Sequence, residues 1–344
     1  MTHTQARWGL LSTERINERF IPAVRASGRG VVLGVASRDR ATAEQYARQW
    51  DIPRAYAGYD AMLADPEIDV VYLPLPNHLH VEWAIKCAEA GKHVLCEKPL
   101  ALTPEEVERM MQAAQRSGVV IQEAAMMRFH AQTRYLRDLV AQRAIGEVRL
   151  VRGIFTFTLE RDEDIRWNPA MGGGSLWDLG SYCVSFSRSV LQAEPVEVLA
   201  MQTPSASGVD LHLSAQLRFP DEVFVHFFSS FGAFPYVEGD LLGTTGRISL
   251  DMPWVNHVER PATVHLVRYR AAREKSTFGD SLDDQIVESQ TFPNVNAYRD
   301  EAEAMAATVL EGAPPTISLT DSWNNARVIN ALYQSARENR LVRL

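Results

Sequence analysis

This sequence has few cysteines, no long apolar run and no stripe of basic residues. Three cysteines, Cys87, Cys96 and Cys183, stand among 344 residues. They fit no zinc spacing and leave one thiol over after any disulfide, so we expect reduced, buried thiols and no metal site. No run approaches the roughly 18 apolar residues of a membrane span. The net charge of −8 comes without a basic patch, which argues against nucleic acid as a partner.

The remaining composition is that of an ordinary globular protein. Hydrophobic residues make up 46% and charged residues 23%, and the length suits about two domains of ~150 residues each. The opening stretch MTHTQARWGLLST lacks a basic segment followed by an apolar one. We therefore expect no export signal and a cytoplasmic location.

The first third of the chain alternates short β-rich runs with helical patterns. VVLGVA at 31–36 and DVVYLP at 69–74 have the character of buried strands, and helical stretches follow both. Thr103-Pro104-Glu105-Glu106 is a capping box with proline at the first helical position. Strands that alternate with helices of 10 to 15 residues predict βαβ units and a parallel sheet.

A different pattern begins near residue 127. DLHLSAQLRF at 210–219 alternates apolar and polar residues, as a strand with one solvated face does. Pro220-Asp221 predicts a turn to the next β-rich run, at 222–231, and thus an antiparallel hairpin. A single helix is predicted for 175–191, and two more close the chain. We predict an α/β domain over 1–126 and an α+β domain with a large, mostly antiparallel sheet over 127–344.

The loop after the first strand lacks the glycines that usually bind a dinucleotide pyrophosphate. The G-x-G-x-x-G frame falls on residues 12–17, STERIN, and contains none. Ser12 and Thr13 still offer hydroxyl donors at a helix N-terminus, and Arg15 offers a phosphate partner. Glu14 acts against this, because a carboxylate repels a diphosphate.

The end of the second strand bears on the choice between NAD and NADP. A carboxylate at this place binds the ribose hydroxyls of NAD, whereas arginine or serine accommodates the 2′-phosphate of NADP. Ser37 and Arg38 come first here, which favours NADP, and Asp39 follows, which leaves NAD possible.

Three motifs in order make the chain resemble the glucose–fructose oxidoreductase and inositol dehydrogenase family (Gfo/Idh/MocA). They are DVVYLPLPNHLH at 69–80, Glu97-Lys98-Pro99 within AGKHVLCEKPLALT, and GGGSLWDLGSY at 172–182. The serine-containing phosphate loop is similar to the branch with dimeric dihydrodiol dehydrogenase and NADP-dependent xylose dehydrogenase. The resemblance implies an N-terminal Rossmann domain, and a C-terminal open sheet that pairs subunits into a homodimer or homotetramer.

The resemblance also implies roles for individual residues. Lys98 matches the family's catalytic lysine, and Asp178 and Tyr182 match its D-x-G-x-H/Y element. The Lys98–Pro99 peptide is expected to be cis. The expected cofactor-binding residues are Ser12, Thr13, Arg15, Ile16, Ser37, Arg38, Leu73, Pro74, Asn77, His78, Glu97 and Lys98.

The chemistry of alcohol oxidation suits these residue types. A base must take the hydroxyl proton while hydride leaves carbon, and a tyrosine with its ordinary pKa near ~10 is too weak a base at neutral pH. A lysine ammonium within ~4–6 Å lowers that pKa by roughly one to three and also stabilises alkoxide charge. On a regular helix, Asp178 and Tyr182 point to one side.

Three further residues are candidates for substrate binding. Arg128 is expected at the edge of the pocket, and Arg166 and Trp167 precede the glycine run as a possible lid or wall. His78 and His80 lack a carboxylate at useful spacing, so they predict no metal site.

The sequence therefore predicts an NAD(P)-dependent oxidoreductase that acts on a small carbohydrate-like secondary alcohol or ketone. A trans-dihydrodiol or keto-sugar reductase is an alternative with the same residues. A catalytically silent dinucleotide-binding regulator is a second alternative. The degraded phosphate loop favours the regulator weakly, and the joint presence of Lys98, Asp178 and Tyr182 argues against it.

Overall fold

Short strands followed by helices form the first part of the chain, and longer strands form most of the second. The computed structural model describes residues 4–254, 260–269, 285–293 and 296–344. The strands are β1 (Ala6–Leu11), β2 (Gly30–Ser37), β3 (Arg54–Ala57), β4 (Val70–Leu73), β5 (His93–Glu97), β6 (Ile121–Ala124), β7 (Val148–Thr158), β8 (Glu197–Pro204), β9 (Asp210–Arg218), β10 (Phe224–Ser230), β11 (Gly232–Gly243), β12 (Gly246–Leu250), β13 (Ala262–Tyr269), β14 (Gln285–Phe292) and β15 (Val342–Arg343). The α-helices are α1 (Asn17–Ser27), α2 (Arg40–Gln49), α3 (Tyr59–Leu63), α4 (His80–Glu89), α5 (Pro104–Ser117), α6 (Ala131–Ala141), α7 (Ser181–Leu191), α8 (Ala297–Glu311) and α9 (Leu319–Glu338).

The chain divides into two compact units, each built from more than one stretch of sequence. The first comprises Met1–Phe129, Ala170–Gly172 and Asn296–Ala326, and the second His130–Pro169, Gly173–Val295 and Arg327–Leu344. The division at residue 126 predicted from the sequence assigns α8 to the second domain. The structure instead packs this helix in the first unit, because its apolar face completes the core there.

A six-stranded parallel sheet forms the centre of the first unit. Its strand order, β3-β2-β1-β4-β5-β6, is that of a Rossmann fold. One face is covered by α1 and α8, whose Phe20 and Met305 are fully buried, and the other by α4 and α5. The helix α5 begins with the predicted capping box at Thr103 and ends at Gly118, which has a left-handed φ of 66°.

A nine-stranded sheet forms the centre of the second unit, in the order β14-β13-β12-β11-β7-β10-β9-β8-β15. All its described pairings are antiparallel except that of β7 with β10. The predicted fold class, a Rossmann domain with a mostly antiparallel sheet domain, is confirmed.

The two faces of the nine-stranded sheet differ in their cover. The helix α7 packs on the face that carries Gly153, where a Cβ would lie 3.0 Å from Cys183 Sγ. On the opposite face, Leu242, Leu150 and Phe224 lie side by side on β11, β7 and β10. Leu242 and Phe224 are 50% and 44% exposed. This face, called the open face below, leaves apolar side chains in contact with solvent.

Two predictions about elements need correction. The helix predicted over 175–191 is a π-helix, Leu176–Gly180, followed by α7. The strands β3, β13, β14 and β15, most of β11 and the helix α3 were not predicted; of these, β3, β15 and α3 are too short to show a periodic pattern. No helix within the described ranges has both the length and the apolar character to cross a bilayer.

Candidate active site

The predicted cofactor residues all follow the carboxyl ends of neighbouring parallel strands in the first unit. β2, β1, β4 and β5 lie side by side and end at Ser37, Leu11, Leu73 and Glu97. In open α/β sheets a ligand binds outside these ends, at the point where the strand order reverses. That point lies here between β1 and β4. The structure thus collects at one sheet edge the residues Ser12, Thr13, Arg15, Ile16, Ser37, Arg38, Leu73, Pro74, Asn77, His78, Glu97 and Lys98.

The loop after β1 lacks glycine but has, at Ser12, a backbone conformation typical of glycine. Ser12 has a φ of 128°, a region that glycine adopts far more easily than serine. The Asn17 side chain, fully buried at the start of α1, donates from Nδ2 to the Ser12 carbonyl at 2.9 Å. Asn17 therefore fixes the loop from the place of the third glycine. Sequence reasoning missed this role, although the asparagine at the position of the third glycine was a usable signal.

At the end of β2, the two candidate phosphate residues and the neighbouring carboxylate have different surroundings. Asp39 caps α2, since its Oδ2 accepts from Thr42 N and from Thr42 Oγ1, both at 2.7 Å. These hydrogen bonds lower the pKa of Asp39. Arg38 is exposed, and Ser37 Oγ accepts from Asp39 N at 3.3 Å. The Asp39 carboxylate is thus already engaged in the protein, whereas Arg38 faces solvent.

The segment that carries Lys98 is held by buried polar contacts. Tyr72 donates its hydroxyl to Glu97 Oε1 at 2.5 Å, and burial raises the pKa of Glu97. The Lys98–Pro99 peptide is cis, as predicted. The fully buried ring of His80 lies 2.7 Å from the Leu75 carbonyl and 2.8 Å from that of Pro99. The residue spacing argued against a metal site at His80. Its role as a link between two loops was not predicted.

The chain after β4 holds the other two loop candidates. Asn77 donates from Nδ2 to the carbonyl of Gly172 at 3.0 Å, within the same unit. His78 is exposed on the short 3₁₀ turn Asn77–Leu79. The carboxamide of Asn77 therefore helps to fix the loop, while the imidazole of His78 is open to a ligand.

Asp178 and Tyr182 belong to the second unit. Because Asp178 lies in the π-helix and Tyr182 in the first turn of α7, the regular-helix argument for their common side does not apply to them. Arg166 Nε donates to Asp178 Oδ2 at 2.7 Å, and Arg166 Nη1 pairs with Asp164 at 3.1 Å. The charge of Asp178, more than that of Asp164, raises the pKa of Arg166. The ring of Tyr182 packs edge-on against Phe155, with centroids 5.4 Å apart.

The remaining substrate candidates have partners inside their own units. Arg128 is 8% exposed and forms an ion pair with Asp321 at 3.0 Å. Trp167 donates from Nε1 to the Arg161 carbonyl, and its ring meets that of Phe231 at 5.5 Å. Neither contact tests a role in substrate binding, which stays a prediction. In the part of the chain that the structure describes, no group of three His, Cys, Asp or Glu side chains is placed to hold a metal.

Two family models match the chain, one for each kind of domain. Residues 7–125 match the oxidoreductase family with an NAD-binding Rossmann fold, and residues 133–249 match the GFO/IDH/MocA C-terminal domain. An uncharacterized oxidoreductase of Rhizobium meliloti is 38% identical over 96% of both chains. D-xylose 1-dehydrogenase (NADP(+)) 2 of Haloferax volcanii is 36% identical over 98% of this chain and 99% of its own. Mouse trans-1,2-dihydrobenzene-1,2-diol dehydrogenase is 33% identical over 72% of this chain and 75% of its own.

Solved structures with the same fold cover nearly the whole chain. Aldose-aldose oxidoreductase from Caulobacter crescentus, complexed with glycerol, superposes with a TM-score of 0.87 at 26% identity, over 99% of this chain and 100% of that one. KijD10, a 3-ketoreductase from Actinomadura kijaniata in complex with NADP and TDP-benzene, gives 0.85 at 26% identity, over 96% and 98%.

Proposed function

The chain belongs to the Gfo/Idh/MocA oxidoreductase family, and we propose that it transfers hydride between NADP and a secondary alcohol or ketone of an uncharged, carbohydrate-like substrate. The observation that carries the proposal is the collection of the cofactor residues at the switch point of the parallel sheet. Lys98, the candidate catalytic lysine, follows directly on one of those strands, and the second unit carries the other two candidates, Asp178 and Tyr182.

The sheet edge fits a dinucleotide, and its details favour NADP. At Ser12 the loop has a backbone conformation typical of glycine, and Asn17 holds it there. Asp39 Oδ2 accepts two hydrogen bonds that cap α2 and hold the carboxylate towards that helix, while the Arg38 guanidinium is exposed. The name of the Haloferax relative specifies NADP, and KijD10 was solved with it.

We assign the transfer of the substrate proton to Lys98 and Tyr182. NADP, when bound, takes or returns the hydride. Tyr182, as the phenolate, would take the proton of the substrate hydroxyl during oxidation, and its hydroxyl would return a proton during reduction. The Lys98 ammonium would favour the phenolate and stabilise negative charge on the substrate oxygen. KijD10 was also solved with a lysine changed to alanine or glutamate and a tyrosine changed to phenylalanine, the same two residue types.

Asp178 and Arg166 support a neutral substrate. The guanidinium of Arg166 pairs with Asp178 and with Asp164, so its positive charge is already balanced by two carboxylates. Because both carboxylates pair with it, the Arg166 guanidinium has no unpaired charge to offer a phosphate or carboxylate on the substrate. We therefore place free sugars, cyclic polyols and dihydrodiols ahead of sugar phosphates.

A titration followed by a substrate panel tests the proposal. NADPH should bind more tightly than NADH when followed by its fluorescence, and NADP should be reduced with at least one neutral aldose, cyclic polyol or trans-dihydrodiol. Oxidation of NADPH with a keto-sugar would support the keto-sugar reductase alternative. Tight NADPH binding without turnover on any of these would instead support the silent regulator.

We also propose a homodimer or homotetramer formed through the open face, and a cytoplasmic location. Exposed apolar residues grouped on one face of a sheet, such as Leu242 and Phe224, are the usual mark of an interface. The three cysteines are unpaired and buried, which suits a reducing compartment.

A further inference from the structure

The π-helix that carries Asp178 is attached at its start to a buried carboxylate on the sheet. Asp210, at the beginning of β9, is 3% exposed. Its Oδ2 accepts from Ser175 Oγ at 2.8 Å and from the backbone N–H of Leu176 at 2.7 Å. Its Oδ1 accepts from the Tyr333 hydroxyl at 2.7 Å. All three donors point to one carboxylate, and two of them belong to the start of the π-helix.

The glycine before the π-helix is required by the same carboxylate. Gly174 has a φ of +119°, and a Cβ there would overlap Asp210 Oδ1 and lie 2.9 Å from the Tyr333 hydroxyl. Only glycine brings the backbone this close. The close approach at Gly174, within the glycine run, is therefore a contact inside the protein.

The end of the π-helix is close to the sheet as well. A Cβ at Gly180 would lie 3.3 Å from Ser229 Oγ on β10, and Ser229 Oγ is in turn 3.1 Å from Ser175 Oγ. Asp178 lies between these two attachments, and Tyr182 follows directly on the second. π-helices are rare and occur often at functional sites, where they alter the direction of side chains.

We propose that Asp210, with Tyr333, is a positioning residue that sets where the π-helix places Asp178 and Tyr182. This inference rests on the proposed function for its kinetic consequence. Its structural part, the attachment of the π-helix by Asp210, stands without it. Burial raises the pKa of Asp210, whereas its three hydrogen bonds favour the ionised form. A carboxylate that accepts three hydrogen bonds holds the start of the π-helix more firmly than a single hydrogen bond between neutral groups would.

Two variants and one control separate positioning from plain stability. Asp210→Asn keeps the shape and removes the charge, and Tyr333→Phe removes one hydroxyl while keeping the ring beside Trp177. Ser335→Ala, also buried on α9, loses contacts with the Ala200 N–H and the Arg340 carbonyl and none with the π-helix. Tyr333→Phe keeps the test valid if Asp210→Asn does not fold.

The test compares each variant with the wild type by steady-state kinetics and by amide hydrogen exchange. We expect kcat to fall by about 10- to 100-fold in Asp210→Asn and by less in Tyr333→Phe, because small displacements of reacting groups cost this much. The pH profile of kcat should shift in both, and NADPH affinity should not change. Exchange in a peptide spanning residues 175–182 should accelerate in both variants and stay at the wild-type rate in Ser335→Ala.

Three results would contradict the attachment, the positioning role or the proposed function, each separately. Unchanged exchange in 175–182 for both variants would overturn the attachment, whether or not the wild type is active. Faster exchange with unaltered kcat and pH profile would overturn the positioning role. A wild type that binds NADPH and turns over nothing would contradict the proposed function alone, while the exchange result would still decide the attachment.

Discussion

Arg38 is the single side chain on which the choice of cofactor depends most directly. We expect Arg38→Ala to weaken NADPH binding several-fold to about 100-fold, a loss of about 1–3 kcal/mol for one charge-assisted contact. NADH binding should hardly change, because NADH lacks the 2′-phosphate. Fluorescence titration of both nucleotides measures this, with Arg48→Ala at the other end of α2 as the control. Tighter binding of NADH than of NADPH by the wild type would refute the assignment.

Ser12 has the backbone strain that a glycine would relieve. A non-glycine residue in such a conformation costs about 1–3 kcal/mol, and a new glycine adds about 0.5–1 kcal/mol of unfolded-state entropy. We therefore expect Ser12→Gly to raise the free energy of unfolding by about 1 kcal/mol.

Ser37→Gly is the matched control for Ser12. Ser37 ends β2 as Ser12 follows β1, and each accepts a hydrogen bond at 3.3 Å from the N–H two residues on, but the φ of Ser37 is not positive. Ser37→Gly should lower stability in the same urea titration. Destabilisation of both variants by the same amount would show that Ser12 is not strained.

At the scale of elements, α6 depends on a histidine in its neutral form. His130 is the N-cap, and its Nδ1 accepts from Gln132 N at 3.0 Å. Burial lowers the pKa of His130 to about 4, from 6.5 in the unfolded chain. Between these values the unfolded chain binds the additional proton, so stability falls as the pH drops from about 6.5 to 4.

A substitution isolates the contribution of that histidine. Asn is a good N-cap without a titrating ring, so His130→Asn should reduce the loss of stability between pH 7 and pH 5. The full effect of one proton is about 1.4 kcal/mol per pH unit. Unfolding in urea at both pH values, with exposed His78→Asn as control, measures it. The same pH dependence in His130→Asn and wild type would exclude His130 as the source.

Elements with strong local signals were predictable, and those without them were not. The cap at Thr103 located α5, and the alternation of residues 210–219 located β9. The π-helix Leu176–Gly180 was not predictable, because its apolar pattern is that of an α-helix and the hydrogen bond between Ser175 and Asp210 at its start spans 35 residues. The motifs likewise predicted which residues form the candidate site. The contacts of Asp39 with Thr42, Arg166 with Asp178 and His80 with Pro99 were seen only in the structure.

For the whole molecule, the open face predicts an oligomer that one charge can disrupt. Leu242, Leu150 and Phe224 form an apolar row across three strands, with Leu242 and Phe224 exposed. We expect Phe224→Glu or Leu242→Glu to convert the wild-type oligomer to a 38.5 kDa monomer, because burying an unpaired carboxylate is costly. Light scattering during size exclusion measures the mass. Val31→Glu, at an exposed valine of β2, is the control, and a monomeric wild type would contradict the proposed interface.

The central claim is that Lys98 and Tyr182 act as one acid–base unit in hydride transfer. Its most direct test is a double-mutant cycle on the kcat of NADP reduction with the best neutral substrate, using Lys98→Met, Tyr182→Phe and both. Each single change should lower kcat by about 10²–10⁴-fold. The double change should be little worse than the more damaging single one, because residues that act together are not additive. Lys86→Met and Tyr135→Phe should leave kcat intact. Near-normal turnover by Tyr182→Phe, or fully additive losses, would contradict the account.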